Sequence, residues 1–235
     1  MTVLPITGFT EDTTIRLIAT AYLTEPALAP LADDPSDLDV LERLEMMTSA
    51  RHLPRLPMPG GIDPAELLTE ADGFGWTYVN AAFCYTRLGG SRFNAEDRGA
   101  WYATTGPDAA ETAQAEIAWH LSRELAATGI FENTTRYREL LAGFSTRLHD
   151  LRRQPAHAAL DADPAKGYPE GQALARAVFA EGGNGILYPS VRKNGGQCLA
   201  AFRPRLVQNI RLGRTWRFTW SGSVQPAITE DRQGE

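Results

Sequence analysis

The C-terminal part of the sequence most constrains the fold. From residue 185 onward it is a succession of short apolar segments with β-branched and aromatic residues, separated by turn residues: GILYPSV, QCLAAFRPRLV, QNIRL and TWRFTW. Segments of this length and composition are typical of β-strands. A run of strands needs a second layer that covers the apolar face of the sheet. The polar tail after Trp220 is predicted to fray.

Two helices can supply that layer. The first is predicted to start at Asp108 as its cap, with Glu111 completing a capping box. Its apolar stripe is Ala110, Ala113, Ile117, Leu121 and Leu125, and Gly129 ends it. The second helix is predicted over 172–180, after a stretch that is mostly loop. The segments WTYVNAAFCYT, WYATTG and TRYRELLAGF are predicted as further strands, so the fold class is α+β.

Residues 1–75 are predicted to be a mainly helical or irregular elaboration on a core of about 76–220, the whole chain 1–235 being one domain. Thr13–Leu23 fits either a strand or a helix, because periodicity does not decide short runs. Asp37–Met47 has helical spacing, and Ala65–Ala71 is predicted as one more short helix. The stretch between them, HLPRLPMPGGIDP, contains four prolines and two glycines and is predicted to be irregular.

Composition excludes several classes of protein. The formal net charge of −6 argues against a nucleic-acid binder, which needs a basic footprint. No stretch approaches the roughly 20 apolar residues that span a bilayer, and no signal peptide is seen. Cys84 and Cys198 lie in apolar runs and are predicted to be buried thiols outside any disulfide. We therefore expect a cytoplasmic protein without membrane association.

The charge is unevenly distributed along the chain. Acidic residues cluster in 33–45, and the C-terminal part is basic, with Arg192, Lys193, Arg203, Arg205, Arg211, Arg214 and Arg217. Two interpretations stay open. Both runs are solvated faces, or the basic end faces an anionic ligand or an acidic partner.

Arg92 and Tyr102 are two candidate binding residues. Arg92 follows the glycine turn in GGSRFN, where a guanidinium offers a planar fork for two phosphate oxygens, although most arginines after turns are simply exposed. Tyr102 lies in WYATTG, where an aromatic ring either stacks on a flat ligand ring or belongs to the core.

Glu116 and Ser190 are two further candidates. Glu116 lies at the shoulder of the apolar stripe of its helix, where a partly desolvated carboxylate is costly unless it is paired or used. A salt bridge to a nearby arginine or a hydrogen bond to His120 would also explain it. Ser190 follows a strand, and its alternative is a turn serine that bonds its own backbone.

Other chemistries lack their motifs. The four histidines form no H-E-x-x-H pair, and the two cysteines do not have zinc spacing, so no metal is expected. No phosphate-binding loop or dinucleotide fingerprint follows a strand, and Ser190 is not in a G-x-S-x-G elbow.

Taken together, these segments resemble the RES family, named for its arginine, glutamate and serine. VNAAFCYTRLGGSRFNAEDRGAWYATTGPDAAETAQAEIAWH carries the family's GSRFN, RGAWY and TA-x-x-E elements in order, and GNGILYPSVRKNGGQCLAAFRP carries its G-I-x-YPSVR-x-x-GG element. Arg92 precedes Tyr102 by ten residues, and Tyr102 precedes Glu116 by fourteen. The resemblance covers 76–205 well and extends loosely to RLIATAY, where Arg16 is similar to the family's first-strand arginine.

The resemblance implies a fold similar to that of ADP-ribosyltransferase toxins, with short mixed or antiparallel strands and flanking helices. Characterised family members consume NAD⁺ by hydrolysis or phosphorolysis, and a partner antitoxin with a helix-turn-helix domain silences them. NAD⁺ would be the substrate, so no cofactor is implied. Glu116 would act on the ribose, Arg92 with Arg16 would hold the pyrophosphate, and Tyr102 would stack on the nicotinamide. Ser190 would position a ribose or phosphate oxygen and is not expected to be a covalent nucleophile.

Two rival functions remain at this point. The same residues would serve a transferase that passes ADP-ribose to a protein target. A catalytically silent module that keeps the fold and binds a partner is the second. The sequence leaves open whether the chain forms a homo-oligomer.

Overall fold

A computed structural model describes residues 4–22 and 62–232. Within them the strands are β1 (Ile6–Ala19), β2 (Trp101–Thr105), β3 (Glu132–Asp150), β4 (Gly185–Pro189), β5 (Gln197–Ala201), β6 (Gln208–Ser221) and β7 (Ala227–Glu230). The helices are α1 (Trp76–Cys84), α2 (Ala109–Thr128) and α3 (Pro164–Ala180). The predicted C-terminal run of strands and the α+β class are confirmed.

The sheet is mixed. Its seven described strands have the order β1-β2-β5-β4-β3-β6-β7, and β1 also pairs with β3, so five strands form a closed circuit. The β3–β4 pair is parallel, whereas the other pairs are antiparallel. The mixed sheet with flanking helices is therefore confirmed. The expectation of short strands is wrong for β1, β3 and β6, which have 14, 19 and 14 residues.

Side-chain alternation along β5 separates two cores. Leu199 and Ala201 pack in the cluster that contains α1, whereas Cys198 and Ala200 pack in the cluster that contains α3. A strand with apolar residues on both faces needs cover on both sides, since successive side chains point in opposite directions. The helix α2 lies on the Cys198 side, because Glu116 of α2 contacts that thiol.

The helix α2 follows the predicted pattern apart from its cap. Its apolar stripe packs in one cluster with Ile15, Leu17, Phe218 and Trp220. Gly129 ends the helix in the left-handed conformation at φ 70°, as predicted. The predicted side-chain cap is wrong, because the Asp108 side chain makes no capping hydrogen bond. The Asp108 carbonyl accepts from Thr112 N–H at 2.9 Å instead.

Three other elements differ from the sequence predictions. Residues 76–84 form helix α1 rather than a strand, with Val79 and Phe83 fully buried one helical turn apart. The helix α3 begins at Pro164 rather than at residue 172, because the Asp163 side chain accepts from Ala165 N–H at 3.0 Å and caps it. QNIRL and TWRFTW form the single strand β6.

The N-terminal segment contributes to the sheet. Thr13–Ala19 belong to β1, which pairs with β3 along most of its length, so this part of the predicted elaboration lies in the core sheet. Two 3₁₀ turns, Pro64–Glu66 and Glu70–Asp72, replace the short helix predicted over 65–71. The helix predicted over 37–47 and most of the irregular stretch after it lie outside the described residues.

The tail after Trp220 does not fray at once, since β7 pairs with β6 and Asp231 bonds Arg136 and Arg217. Both cysteines are buried and neither is in a disulfide, as predicted. Among the described helices, none has the length and apolar character needed to cross a membrane.

Candidate active site

Glu116 and Ser190 are in direct contact. The Ser190 hydroxyl donates to Glu116 Oε1 at 2.6 Å, and the Cys198 thiol lies 3.9 Å from the same oxygen. Glu116 lies one helical turn after the buried Ala113, so its side chain points towards the sheet from the edge of the apolar stripe. The predicted position at the shoulder of the stripe is confirmed, and the bond goes to Ser190 rather than to His120.

Two opposing effects act on the ionised form of Glu116, since burial destabilises it while nearby cations stabilise it. Burial raises the pKa of this carboxyl above its ordinary value of 4.5, while the bond from Ser190 and the charges of Arg192 and Arg92 lower it in part. A desolvated carboxylate interacts strongly with positive charge, because little water screens it.

The Ser190 hydroxyl has one orientation. Its oxygen accepts backbone N–H groups from Arg192 and Lys193, both at 3.1 Å. A hydroxyl has two lone pairs and one hydrogen, so its hydrogen is directed to Glu116. The interpretation of Ser190 as a turn serine that bonds its own backbone is therefore confirmed, and its role towards a ligand stays a prediction. An oxygen with both lone pairs engaged is poorly suited to act as a nucleophile.

Arg92 lies inside the protein. Its side chain follows a turn in which Gly90 has φ 68°, and a Cβ at that glycine would lie 2.3 Å from the Asn94 carbonyl. The residue is only 6% exposed, and its Nη1 donates to the carbonyls of Ala159 at 2.5 Å and Asp161 at 2.9 Å. These two bonds use a single nitrogen of the guanidinium, and Nε and Nη2 take no part in them.

Two glycines of α3 make room for Arg92. A Cβ at Gly167 would lie 2.7 Å from Arg92 Nη1, and one at Gly171 would lie 2.1 Å from the Arg92 carbonyl oxygen. Real Cβ atoms do not approach so closely, so this face of α3 must lack side chains. The Tyr168 ring lies 5.5 Å from the guanidinium. The position of Arg92 thus depends on a helix some 75 residues further along the chain.

Tyr102 is tied to the turn that carries Arg92. Its hydroxyl accepts from Phe93 N–H at 2.8 Å and donates to Asn94 Oδ1 at 3.0 Å. Burial raises the pKa of this phenol well above its ordinary range. The hydroxyl is therefore a fixed structural contact. The half-buried ring packs against the core cluster that contains Phe93 and Tyr188, and its stacking on a ligand stays a prediction.

Arg16 bridges β1 and β2. The two strands are registered only at Ile15 and Thr104, and beyond that point Arg16 Nη1 donates to the Tyr102 carbonyl at 3.2 Å. The guanidinium lies 5.0 Å from the Trp101 ring, and burial lowers its pKa to about 10. It remains a cation at neutral pH.

The five predicted residues form two linked groups. Glu116 bonds Ser190, while Tyr102 contacts Arg16 through its carbonyl and adjoins Arg92 through the 92–94 turn. The charge of Arg92 lowers the pKa of Glu116, so the two groups interact electrostatically. The structure thus places these residues around one neighbourhood, although their contacts with a ligand stay predictions.

The sequence analysis did not predict Trp119 as a residue near Glu116, and it named His120 only as a possible hydrogen-bond partner of that carboxylate. They follow Glu116 by three and four positions, so the helical period that located Glu116 was the signal for them too. Burial, together with the charges of Arg87, Arg123, Arg192 and Arg92, lowers the His120 pKa to about 4. His120 is consequently neutral at physiological pH. No cluster of three metal-ligating side chains occurs within 4–22 and 62–232.

The chain is similar in sequence to one protein family and in fold to a chain of known structure. The family model described as the RES domain matches residues 67–221. A search of curated proteins finds no match. Among solved structures, the M. tuberculosis MbcT–MbcA toxin–antitoxin complex contains a similar chain. The two chains share 15% identity over 91% of this chain and 87% of that one, with a TM-score of 0.45.

Proposed function

The chain belongs to the RES domain family, and on that premise we propose that it cleaves the nicotinamide–ribose bond of NAD⁺ as the toxin of a toxin–antitoxin pair. The observation that carries the proposal is the Glu116 carboxylate, desolvated yet oriented by the Ser190 hydroxyl at 2.6 Å. The choice of NAD⁺ as the substrate rests on the family resemblance. The geometry of the Glu116 carboxylate gives a physical reason why NAD⁺ would be cleaved there.

Breaking an N-glycosidic bond builds positive charge on the ribose ring, as in glycoside hydrolysis. A fixed carboxylate in a partly dry site stabilises such charge without having to reorganise. The Ser190 bond keeps the carboxylate in one rotamer and favours its ionised form. Glu116 would therefore face the ribose, either at the charge that develops or at a hydroxyl next to it.

The cations suit the anionic part of NAD⁺. Arg92 would hold the pyrophosphate with the guanidinium nitrogens that do not bond Ala159 and Asp161. Arg16 would assist from the gap between β1 and β2. The Tyr102 ring would stack on the nicotinamide while its hydroxyl stays with Phe93 and Asn94.

Ser190 is assigned a positioning role rather than a covalent one, since its oxygen already accepts two N–H groups. ADP-ribose would accordingly pass directly to an acceptor, which is water or phosphate in this proposal. From the family resemblance we also propose a partner, which is an antitoxin with a helix-turn-helix domain. This antitoxin would block access to Glu116.

The deciding experiment follows nicotinamide release from NAD⁺ by chromatography, with and without phosphate. Glu116→Ala is expected to lower turnover by about a hundredfold or more, the scale of losing one electrostatic stabiliser. Glu111→Ala is the matched control, because Glu111 is an exposed carboxylate on the same helix. Thermal unfolding of each variant shows that it is folded.

The second product identifies the acceptor. Free ADP-ribose indicates hydrolysis, a phosphorylated ADP-ribose indicates phosphorolysis, and label on protein indicates a transferase. Equal turnover in folded Glu116→Ala and wild-type protein would refute the role of Glu116. No release from folded, antitoxin-free protein, even with candidate protein acceptors, would favour a silent binding module.

A further inference from the structure

Arg192 is stacked on Trp119 at the edge of the candidate site. The guanidinium carbon lies 3.3 Å from the centre of the indole ring, and Nη2 donates to the Ala162 carbonyl at 2.8 Å. Trp119 is one helical turn beyond Glu116, and the backbone N–H of Arg192 bonds the same hydroxyl of Ser190 that bonds Glu116. Arg192 therefore spans from α2 to the loop before α3, beside the carboxylate.

The cation has no carboxylate partner within the described residues. Arg98, which is also half-buried, does have one, since it bonds Glu66 at 2.6 Å. Within residues 4–22 and 62–232, the Arg192 side chain makes one hydrogen bond, the one to the Ala162 carbonyl. A guanidinium has five N–H donors, so most of its capacity is unused.

Stacking orients the guanidinium without consuming its donors. The indole contacts the face of the planar group, whereas the N–H groups point outward in its plane. Such a group is a preorganised fork for the oxygens of an anion, and it loses less rotamer freedom on binding than a solvated arginine does.

Two other arginines act on Arg192. The charges of Arg92 and Arg123 both lower its pKa, whereas Arg87 is paired with Glu124 at 3.4 Å. Burial lowers the pKa of Arg192, while the charge of Glu116 raises it. A partly desolvated cation among other cations gains from a bound anion, since an anion screens their mutual repulsion.

We propose that Arg192, held on Trp119, is an anion-binding residue of this site that takes a phosphate group beside Glu116. The inference rests on the proposed function only for the identity of the molecule that carries the phosphate. This group is either the pyrophosphate of the dinucleotide or a free phosphate that serves as acceptor.

Calorimetric titration of the full chain with inorganic pyrophosphate and with inorganic phosphate tests the proposal. Neither probe is turned over, so the result does not depend on NAD⁺ cleavage. Arg192→Ala is expected to weaken binding about tenfold or more, the scale of losing charge-assisted hydrogen bonds. Arg123→Ala is the matched control, because Arg123 lies 5.0 Å from the same indole but is exposed. It is expected to change binding less than about twofold.

If Arg192→Ala weakens the binding of pyrophosphate alone, Arg192 binds the pyrophosphate of the dinucleotide. If it weakens the binding of phosphate equally, Arg192 binds the phosphate that serves as acceptor. Arg192→Lys keeps the charge and the aliphatic stem, so it guards against a variant that does not fold, and it is expected to bind less tightly than wild type. Equal weakening in the Arg192 and Arg123 variants would overturn the proposal. So would wild-type protein that binds neither probe, or Arg192→Lys that binds like wild type.

Discussion

The Ser190 hydroxyl lies 2.6 Å from the Glu116 carboxylate, although the two residues are 74 positions apart in the chain. Ser190 belongs to the turn after β4, and Glu116 belongs to α2. The Cys198 thiol of strand β5 lies 3.9 Å from the same oxygen. Burial raises the pKa of the Glu116 carboxyl, and the bond from Ser190 lowers it. The charge of Glu116 therefore depends on how α2 packs on the sheet.

Ser190→Ala is predicted to move the rising limb of the activity profile to higher pH. If the ionised form of Glu116 is active, turnover rises as pH passes its pKa. Removal of the bond that lowers this pKa raises it further, so a higher pH is needed for the same ionised fraction. The measurement is kcat for nicotinamide release against pH, with the exposed Ser145→Ala as control. An unshifted limb with reduced kcat would instead mean that Ser190 acts on the substrate itself.

Glu116→Gln is predicted to stabilise the fold at neutral pH while abolishing activity. A carboxyl with a raised folded pKa binds its proton more tightly in the folded state, so stability falls as pH rises from about 4.5 through the raised value. Glutamine carries no charge to desolvate and still accepts from Ser190. The gain is expected to be on the order of 1 kcal/mol at pH 7.

Denaturant unfolding at pH 7 and pH 4 measures this difference. Below the ordinary carboxyl pKa both states of the wild type are protonated, so the gain from Glu116→Gln should largely vanish there. Glu111→Gln is the control, since the exposed Glu111 should show no such dependence. A destabilised Glu116→Gln at pH 7 would show that the ionised carboxylate holds the fold together.

Patterns local to one element were readable from the sequence. The period of α2 located Glu116 at the edge of its apolar stripe, and the glycine turn before Arg92 was evident from GGSRFN. Tertiary contacts decided the rest. Residues 76–84 contain Tyr78, Val79 and Phe83, which favour strands, yet Val79 and Phe83 bury the same face of a helix. A short apolar run does not distinguish the two.

The start of α3 illustrates the same limit. Two glycines and Pro169 make the segment before residue 172 resemble a loop. In the structure both glycines, Gly167 and Gly171, pack against Arg92. This contact joins residues some 75 positions apart, so patterns within one segment do not predict it. Asp163 followed by Pro164 was the readable signal for a helix start here.

Tyr102→Phe is predicted to raise the KM for NAD⁺ several-fold with little change in kcat. The hydroxyl holds Phe93 N–H and Asn94, and its loss leaves a donor of the Arg92 turn unpaired, at a cost of about 1 kcal/mol or more. Tyr102→Leu, which also removes the ring, should raise KM further if the ring stacks on nicotinamide. Steady-state kinetics of the two variants separate the hydroxyl from the ring. If Tyr102→Phe has the wild-type KM, then the hydroxyl does not contribute to NAD⁺ binding and only the ring can.

The glycine face of α3 can be tested by adding a methyl group at each of two positions. Alanine for glycine inside a helix normally stabilises it by about 1 kcal/mol. Here the sign should reverse, because a Cβ at Gly171 would meet the Arg92 carbonyl at 2.1 Å and one at Gly167 would meet Arg92 Nη1 at 2.7 Å. Gly171→Ala presses on backbone and should mainly lower the unfolding temperature. A Cβ at Gly167 would also meet backbone, the Asp161 carbonyl oxygen at 2.5 Å, so Gly167→Ala should lower the unfolding temperature and, by displacing the guanidinium, raise the KM for NAD⁺ as well.

Ala173→Gly separates these effects from helix propensity. Ala173 is exposed on the same helix, so its replacement should cost about 1 kcal/mol of stability and leave KM unchanged. Thermal unfolding and steady-state kinetics on the three variants give both quantities. If Gly167→Ala and Gly171→Ala both raise the unfolding temperature and keep the wild-type KM, then α3 does not seat Arg92. If Gly167→Ala raises KM while Ala173→Gly does not, the position of the guanidinium, rather than the stability of α3, sets the affinity for the substrate.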